Sequence, residues 1–282
     1  MTSFIIRAHH SPLCRSRNRK LPDMIQFGVC TAYTNAALLA DTGIDFIEEN
    51  IQRLLMPLAP ASEFVATRTA VKSAPLPVIA ANAFLPATLK CVGPDVDMAT
   101  LVQYADTACG RAGELGITTL VLGSGGSRQI PEGWDVVRAQ QQFITLLQQF
   151  APLAAKNGVT IVVEALNRGE CNFINSLAEG AAVVVAASHP SIQLLTDIYH
   201  MLREDEPANQ ISKFAASIRH AHIAEKATRT VPGRAGDDFT AYFAALHAMD
   251  YQGAMAIEAH YGADLHADVV LGLATLRQQW GN

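Results

Sequence analysis

Short apolar runs, rich in β-branched residues, alternate with longer amphipathic segments along most of the chain. Eight of the short runs have the length of a strand, and their nearly continuous apolar character predicts parallel strands buried on both faces. They lie at residues 25–30, 46–48, 77–82, 118–122, 159–164, 192–197, 218–223 and 254–258. The longer segments have the apolar spacing of helices, and they include residues 99–115, 136–156 and 239–249.

Glycines separate several predicted helices from the strands that follow: Gly43, Gly116, Gly158 and Gly253. Glycine at the end of a helix tolerates the left-handed backbone that turns the chain into a strand. Eight such units without an obvious linker predict an α/β fold, a single (β/α)8 TIM barrel over residues 24–282. An open doubly wound sheet fits the same pattern, but no G-x-G-x-x-G motif follows the first strand.

The composition agrees with a barrel and excludes other classes of protein. The 282 residues are close to the roughly 250 that a TIM barrel needs. A hydrophobic content of 50% excludes a disordered chain. The longest purely apolar run, residues 181–187, is too short to span a bilayer, so no membrane association is predicted. The five scattered cysteines form no C-x-x-C pair, which predicts reduced thiols and a cytoplasmic location.

Residues 1–23 differ from the rest of the chain and are interpreted as a flexible or extra N-terminal segment. They hold five of the 21 basic residues and one of the 26 acidic residues, so the remainder has a net charge of −9. A transit peptide, or a true start at Met24, would explain the same composition. The acidic remainder argues against nucleic-acid binding, because phosphate contacts need a basic face.

Four successive predicted strands end at a side chain able to bind a metal: Glu164, Asp197, His222 and Glu258. Equivalent positions on neighbouring barrel strands converge on one mouth, and such strands are about 4.8 Å apart. Three carboxylates gathered there would repel one another without a cation. Oxygen-rich ligation with one nitrogen predicts a divalent ion, Mn²⁺ before Mg²⁺, Co²⁺ or Zn²⁺. Taken singly, each acid would be interpreted as a helix cap or a salt bridge.

The segments around these residues resemble the sugar phosphate isomerase/epimerase superfamily of xylose-isomerase-like barrels, and the resemblance covers residues 25–262. It rests on residues 164–175, 195–201, 220–225 and 257–258, with further likeness at 82–86, 93–95 and 123–128. The superfamily includes ketose 3-epimerases, hydroxypyruvate isomerase, inosose dehydratase and endonuclease IV.

The resemblance implies a role for each site residue. Glu164 and Glu258 resemble a pair of catalytic glutamates that also bind the metal, and Asp197 and His222 resemble the other two metal ligands. The residues implied in substrate binding are Glu170, His200, Arg229 and Asn167. Arg229 lies one residue further from His222 than the epimerase pattern implies, and Lys226 is the alternative.

The function implied is a divalent-metal-dependent sugar isomerase or epimerase that acts on a small ketose or ketose phosphate. Such an enzyme removes a proton next to a carbonyl and passes through an enediolate. Two carboxylates on opposite faces suit an epimerase, whereas one base suffices for an isomerase. The alternatives are an inosose-type dehydratase and a non-catalytic sugar-binding barrel. The expected partner is a small sugar, and relatives are often homo-oligomers.

Three further features of the sequence are considered for a role in the site. Two of them have a functional and a structural interpretation, and the third is interpreted as structural. The glycine-rich segment 123–127 could hold a phosphate or form a tight turn. Arg168 could bind a substrate acid or pair with a loop acid. His220 is expected to point away from His222 and to be structural.

Overall fold

The structure is a computed structural model that describes residues 25–281, and the predicted N-terminal segment 1–23 lies outside them. The strands are β1 Gln26–Cys30, β2 Phe46–Asn50, β3 Val78–Asn82, β4 Thr119–Leu122, β5 Thr160–Glu164, β6 Ile192–Asp197, β7 Ile218–Ile223 and β8 Ala254–Ile257. The helices are α1 Ala36–Leu39, α2 Ile51–Leu54, α3 Ala61–Lys72, α4 Met98–Leu115, α5 Gly125–Arg128, α6 Val136–Lys156, α7 Leu177–Ala187, α8 Ile198–Arg203, α9 Asn209–Lys213, α10 Thr240–Ala248 and α11 Leu265–Trp280.

The eight strands form one closed parallel barrel in chain order, which confirms the predicted TIM barrel and excludes the open sheet. Strand β1 pairs with β2 on one side and with β8 on the other, where Phe27 lies opposite Met255. The predicted bounds of all eight strands and of helices α4, α6 and α10 differ from the observed bounds by at most two residues.

The predicted helix-to-strand glycines turn the chain at three of the four positions. Gly43, Gly116 and Gly158 have positive φ angles of 84°, 76° and 68°. The prediction for Gly253 was wrong, because Asp250 takes the left-handed conformation after α10, with φ 52°. Gly253 is explained by a neighbour instead, since the ring of Tyr251 occupies the place where a Cβ would lie.

The barrel interior is apolar at its lower levels and polar at the mouth. Val121, Val162 and Leu195 form a buried cluster inside the barrel, separate from the larger core between strands and helices. The ring of Phe46 lies where a Cβ on Gly28 would be, so this position of β1 needs a glycine. The ring of Phe46 thus fills the space beside Gly28.

None of the described helices is long and apolar enough to cross a membrane. Within residues 25–281, Cys30, Cys91, Cys109 and Cys171 are free thiols.

Candidate active site

Four side chains from the last four strands meet at the carboxyl end of the barrel. Glu164 ends β5, Asp197 ends β6, His222 lies one residue before the end of β7, and Glu258 follows β8 directly. One potential metal-binding atom of each lies within 4.8 Å of those of the other three, and we call these four residues the ligand cluster. Glu164, Asp197 and His222 are buried, whereas the side chain of Glu258 is 23% exposed and faces the opening.

The two carboxylate oxygens of Asp197 have different roles: one caps a helix and the other faces the site. Its Oδ1 accepts hydrogen bonds from the backbone N–H of Tyr199, at 2.7 Å, and of His200, and so caps α8. Its Oδ2 is buried and has no hydrogen-bond partner within residues 25–281. Because an unpartnered buried carboxylate oxygen is costly, this atom fits a position that a cation would complete.

The charges of the cluster also favour a cation. Burial and the nearby Glu164 raise the pKa of Asp197 well above its ordinary value. Burial likewise raises the pKa of Glu258. For Glu164, burial acts upward, but the hydrogen bond and the charge of His222 outweigh it and lower the pKa to about 2. Three carboxylates and one imidazole are a donor set that suits Mn²⁺ or Mg²⁺, and the same set can also bind Co²⁺ or Zn²⁺.

The sequence interpretation missed Glu48, which lies in β2 inside the barrel. Its Oε1 is 2.8 Å from Nε2 of His222, and its Oε2 is 2.6 Å from Nε2 of His220. The expected direction of His220 was therefore wrong. Residues two apart in a strand share a face, so His220 lies on the same side as His222, with ring centroids 5.3 Å apart.

His200 and Asn167 form a fixed pair beside the ligand cluster. Nδ1 of His200 accepts from the backbone N–H of Asn167, at 3.0 Å, and lies 2.8 Å from the side-chain Nδ2 of the same residue. The ring proton of neutral His200 therefore sits on Nε2, which is buried and lies 3.5 Å from Oδ2 of Asp197. Among the residues that the structure describes, this nitrogen has no hydrogen-bond partner. Burial lowers the pKa of His200 to about 4, so the ring is neutral at pH 7.

The polar atoms of Asn167 are all occupied. Besides His200, its Nδ2 donates to Glu170, and its Oδ1 accepts from the N–H of Gly169. We therefore expect Asn167 to orient His200 and Glu170 and not to contact substrate itself.

Arg229 reaches the site although its loop is one residue longer than the resemblance implies. Its guanidinium donates to Glu258 at 2.5 Å and to Glu170 at 2.9 Å, and it lies 4.5 Å from the ring centroid of Tyr199. Lys226, the alternative, points elsewhere and pairs with Asp205 at 2.7 Å.

Two of the open sequence features are used structurally. In the glycine-rich segment, Oγ of Ser124 accepts from the N–H of Leu85, and Oγ of Ser127 donates to the carbonyl of Leu89. These bonds fix a tight turn. Arg168 pairs with the loop acid Glu204, the second of its two alternatives.

A closed parallel barrel with an acidic ligand cluster at the carboxyl ends of its strands is typical of TIM-barrel enzymes, whose active sites lie at that end. Residues 36–279 match the family of xylose isomerase-like TIM barrels. The chain belongs to this family.

Curated relatives match part of the chain. An L-ribulose 3-epimerase from Methylomonas sp. (strain DH-1) is 30% identical over 138 residues, which cover 49% of this chain and 48% of the relative. A 3-dehydro-D-guloside 4-epimerase from Escherichia coli (strain K12) is 33% identical over 119 residues, 42% of this chain and 45% of the relative. The matches thus span about half the length of these two proteins.

Solved structures share the whole fold. A 3-keto-D-glucoside 4-epimerase from E. coli superposes with a TM-score of 0.77 at 22% identity, covering 90% of this chain and 100% of that one. A D-allulose 3-epimerase from Methylomonas sp., solved with D-allulose, has a TM-score of 0.79 at 22% identity, covering 92% and 98%. At this identity the likeness shows the fold.

Proposed function

We propose that this protein is a divalent-metal-dependent epimerase that inverts a carbon next to the ketone of a small, unphosphorylated sugar. The observation that carries the proposal is the pair Glu164 and Glu258, which come from β5 and from the end of β8 and share one ligand cluster. Epimerisation next to a carbonyl removes a proton from one face of the carbon and returns one to the other. That reaction needs two bases placed across a common site.

Each residue of the cluster has a part in this reaction. Glu164 and Glu258 exchange the proton, and together with Asp197 and His222 they would hold the metal, with Mn²⁺ the expected ion. When bound, the metal supplies positive charge for the oxygen anion that develops as the C–H bond breaks. In the metal-free protein the pKa of Glu258 is raised and that of Glu164 is lowered, so Glu258 is the stronger base of the pair before a metal binds. It is also the more exposed of the two, so it is the base nearer to entering substrate.

The surrounding polar groups suit a substrate with several hydroxyls. The Nε2–H of His200 makes no hydrogen bond within the described part of the chain and is directed at the ligand cluster, and Glu170 offers an acceptor at the edge of the site. Arg229 lies between Glu170 and Glu258, where it can donate to a sugar oxygen while it balances their charge.

The charge of the mouth favours an uncharged sugar over a phosphorylated one. Five carboxylates lie in or beside the site: Glu48, Glu164, Glu170, Asp197 and Glu258. The guanidinium of Arg229 is already shared by two of them. Lys226 and Arg168 are paired with loop acids. A phosphate dianion would meet net negative charge here. L-Ribulose, which the name of one relative gives, has no phosphate.

Deuterium exchange tests the proposal. The protein is loaded with Mn²⁺ and incubated in D₂O with L-ribulose, D-allulose, 3-dehydro-D-glucosides and ketose phosphates, and the quenched sugars are analysed by NMR. We expect deuterium at one carbon next to the ketone, together with the epimer at that carbon, and slower reaction of the phosphates. Chelation should abolish both. Glu164→Gln should abolish epimer formation, whereas the matched variant Glu49→Gln should keep it, because Glu49 pairs with Arg53 outside the cluster.

Other results would contradict the proposal in different ways. Exchange without an epimer, followed by loss of water, would identify a dehydratase. Bound Mn²⁺ without exchange in any sugar would leave a binding barrel, and absence of Mn²⁺ binding would refute the metal centre itself.

A further inference from the structure

A buried carboxylate lies beneath the ligand cluster and contacts two histidines. Glu48 is fully buried, and within residues 25–281 its ion pairs are with His220 and His222 alone. Each of its oxygens meets one ring: Oε1 is 2.8 Å from Nε2 of His222, and Oε2 is 2.6 Å from Nε2 of His220.

We propose that Glu48 is a positioning residue that holds the imidazole of His222 with Nδ1 toward the metal. This inference rests on the proposed metal centre. The two ring nitrogens of His222 face opposite groups, since Nδ1 lies 3.1 Å from Glu164 and 3.6 Å from Glu258. A carboxylate that accepts from Nε2 keeps a proton there and leaves the lone pair of Nδ1 for the metal. Carboxylates play this part behind many metal-binding histidines.

The cost of burying Glu48 supports a role beyond packing. A carboxylate that is removed from water loses several kcal/mol of solvation free energy. An apolar side chain of similar volume would fill the space without that loss. The adjacent Glu49 shows the contrast, because it is also buried but accepts from the N–H of Tyr33 and from Arg53, on the outside of the barrel.

His220 completes the arrangement. With one ring on each oxygen, the plane of the Glu48 carboxylate is fixed, and it cannot rotate away from His222. The two rings stand at 80° to each other, and Phe46 lies 6.3 Å from His220, centroid to centroid, on the remaining side. The contacts thus run from His220 through Glu48 to His222, which is the proposed metal ligand.

The test compares Glu48→Gln with Glu49→Gln. A glutamine at position 48 can accept from one histidine only, because its amide nitrogen donates. We expect the dissociation constant for Mn²⁺, measured by electron paramagnetic resonance of the free ion, to rise roughly 10- to 100-fold in Glu48→Gln. It should stay unchanged in Glu49→Gln. Circular dichroism of the metal-free proteins shows whether both variants fold.

A second readout needs no metal. In protein labelled with ¹⁵N-histidine, the Nε2 proton of His222 should give a hydrogen-bonded resonance that moves upfield or is lost in Glu48→Gln, because an amide oxygen accepts more weakly than a carboxylate, and that is unchanged in Glu49→Gln. Unchanged Mn²⁺ affinity in a folded Glu48→Gln, or an unchanged resonance, would overturn the role of Glu48 while leaving the epimerase proposal intact. Two Mn²⁺ per wild-type chain, one of them lost in Glu48→Gln, would also overturn it, because Glu48 would then be a ligand. Wild-type protein that binds no Mn²⁺ would refute the metal centre and this role together.

Discussion

Arg229 places its guanidinium 2.5 Å from the carboxylate of Glu258, the residue that follows the last barrel strand. Arg229 has a left-handed backbone, with φ 51°, which is uncommon for a residue with a side chain. Its N–H donates to the carbonyl of Glu225, and its own carbonyl accepts from His260. These bonds hold the unusual turn and direct the side chain into the site despite the longer loop.

Replacement of Arg229 by alanine should move the acidic limb of the activity profile to higher pH. The charge of Arg229 is one of the groups that hold down the pKa of Glu258, so its loss raises that pKa. A base with a higher pKa is ionised to a smaller fraction below it, and activity at a fixed lower pH falls, by about tenfold per pKa unit. The measurement is kcat/KM against pH. Lys226→Ala is the control and should leave the profile unchanged, and an unshifted limb in Arg229→Ala would contradict this reasoning.

Mn²⁺ binding should release protons and tighten as the pH rises. The pKa values of Asp197 and Glu258 are raised in the metal-free protein, so these groups keep protons to higher pH than free carboxyls do. A metal must displace those protons, and fewer remain as the pH increases. Calorimetric titrations at pH 6 and pH 8, in buffers of different ionisation enthalpy, count the protons. Equal affinity and no release at pH 6 would show that the ligands are already ionised.

Gly123→Ala should disable the site while the barrel stays folded. A Cβ at this position would collide with Oε2 of Glu164, whereas the nearest atom of another residue, on Leu166, is 3.6 Å away. The glutamate must move, so we expect weaker Mn²⁺ binding and at least a tenfold loss of activity, by the sensitivity of catalysis to small displacements. Gly110→Ala is the matched control, since no atom of the described residues outside the helix backbone and the neighbouring residues lies within 4 Å of the added carbon. It should leave activity intact and stabilise α4 by about 0.5–1 kcal/mol.

Glu225→Gln should loosen the loop that carries Arg229. The buried Glu225 carboxylate accepts from the N–H groups of Gly233, at 2.6 Å, and of Asp237, at 2.9 Å, among others. Glutamine leaves one buried donor without an acceptor, at a cost of about 1–3 kcal/mol. Urea unfolding measures that loss. We also expect KM to rise while Mn²⁺ affinity is kept, and a fall in Mn²⁺ affinity would show that the loop supports the ligands directly.

The strands could be predicted closely because barrel strands are buried on both faces. Thr160–Glu164 and Ile192–Asp197 are apolar until a ligand-type residue ends them, so one pattern marks both the strand and the candidate site. Gly253 was misinterpreted because its neighbour Tyr251, and not a helix end, requires the small residue. A contact of this kind, between a side chain and a neighbouring backbone, does not produce a periodic pattern in the sequence.

Glu48 was missed for a different reason. It is followed by Glu49, and the apolar run of β2 does not say which of two adjacent acids faces inward. The decision depends on the register of β2 in the closed barrel. The prediction for His220 was wrong because residues two apart in a strand share a face, which puts its ring beside that of His222. Neither residue's partner could be found from the sequence, because 172 positions separate Glu48 from His220.

Glu258 follows β8, and β8 is the strand that closes the barrel against β1. The other three members of the cluster belong to strands that leave the ribosome earlier. A chain whose last strand has not yet docked therefore brings together three of the four proposed ligands. The proposed metal centre would therefore hold its ion fully only after β8 has paired with β1, so a chain that ends before Glu258, or a barrel that has not closed, should bind the ion more weakly.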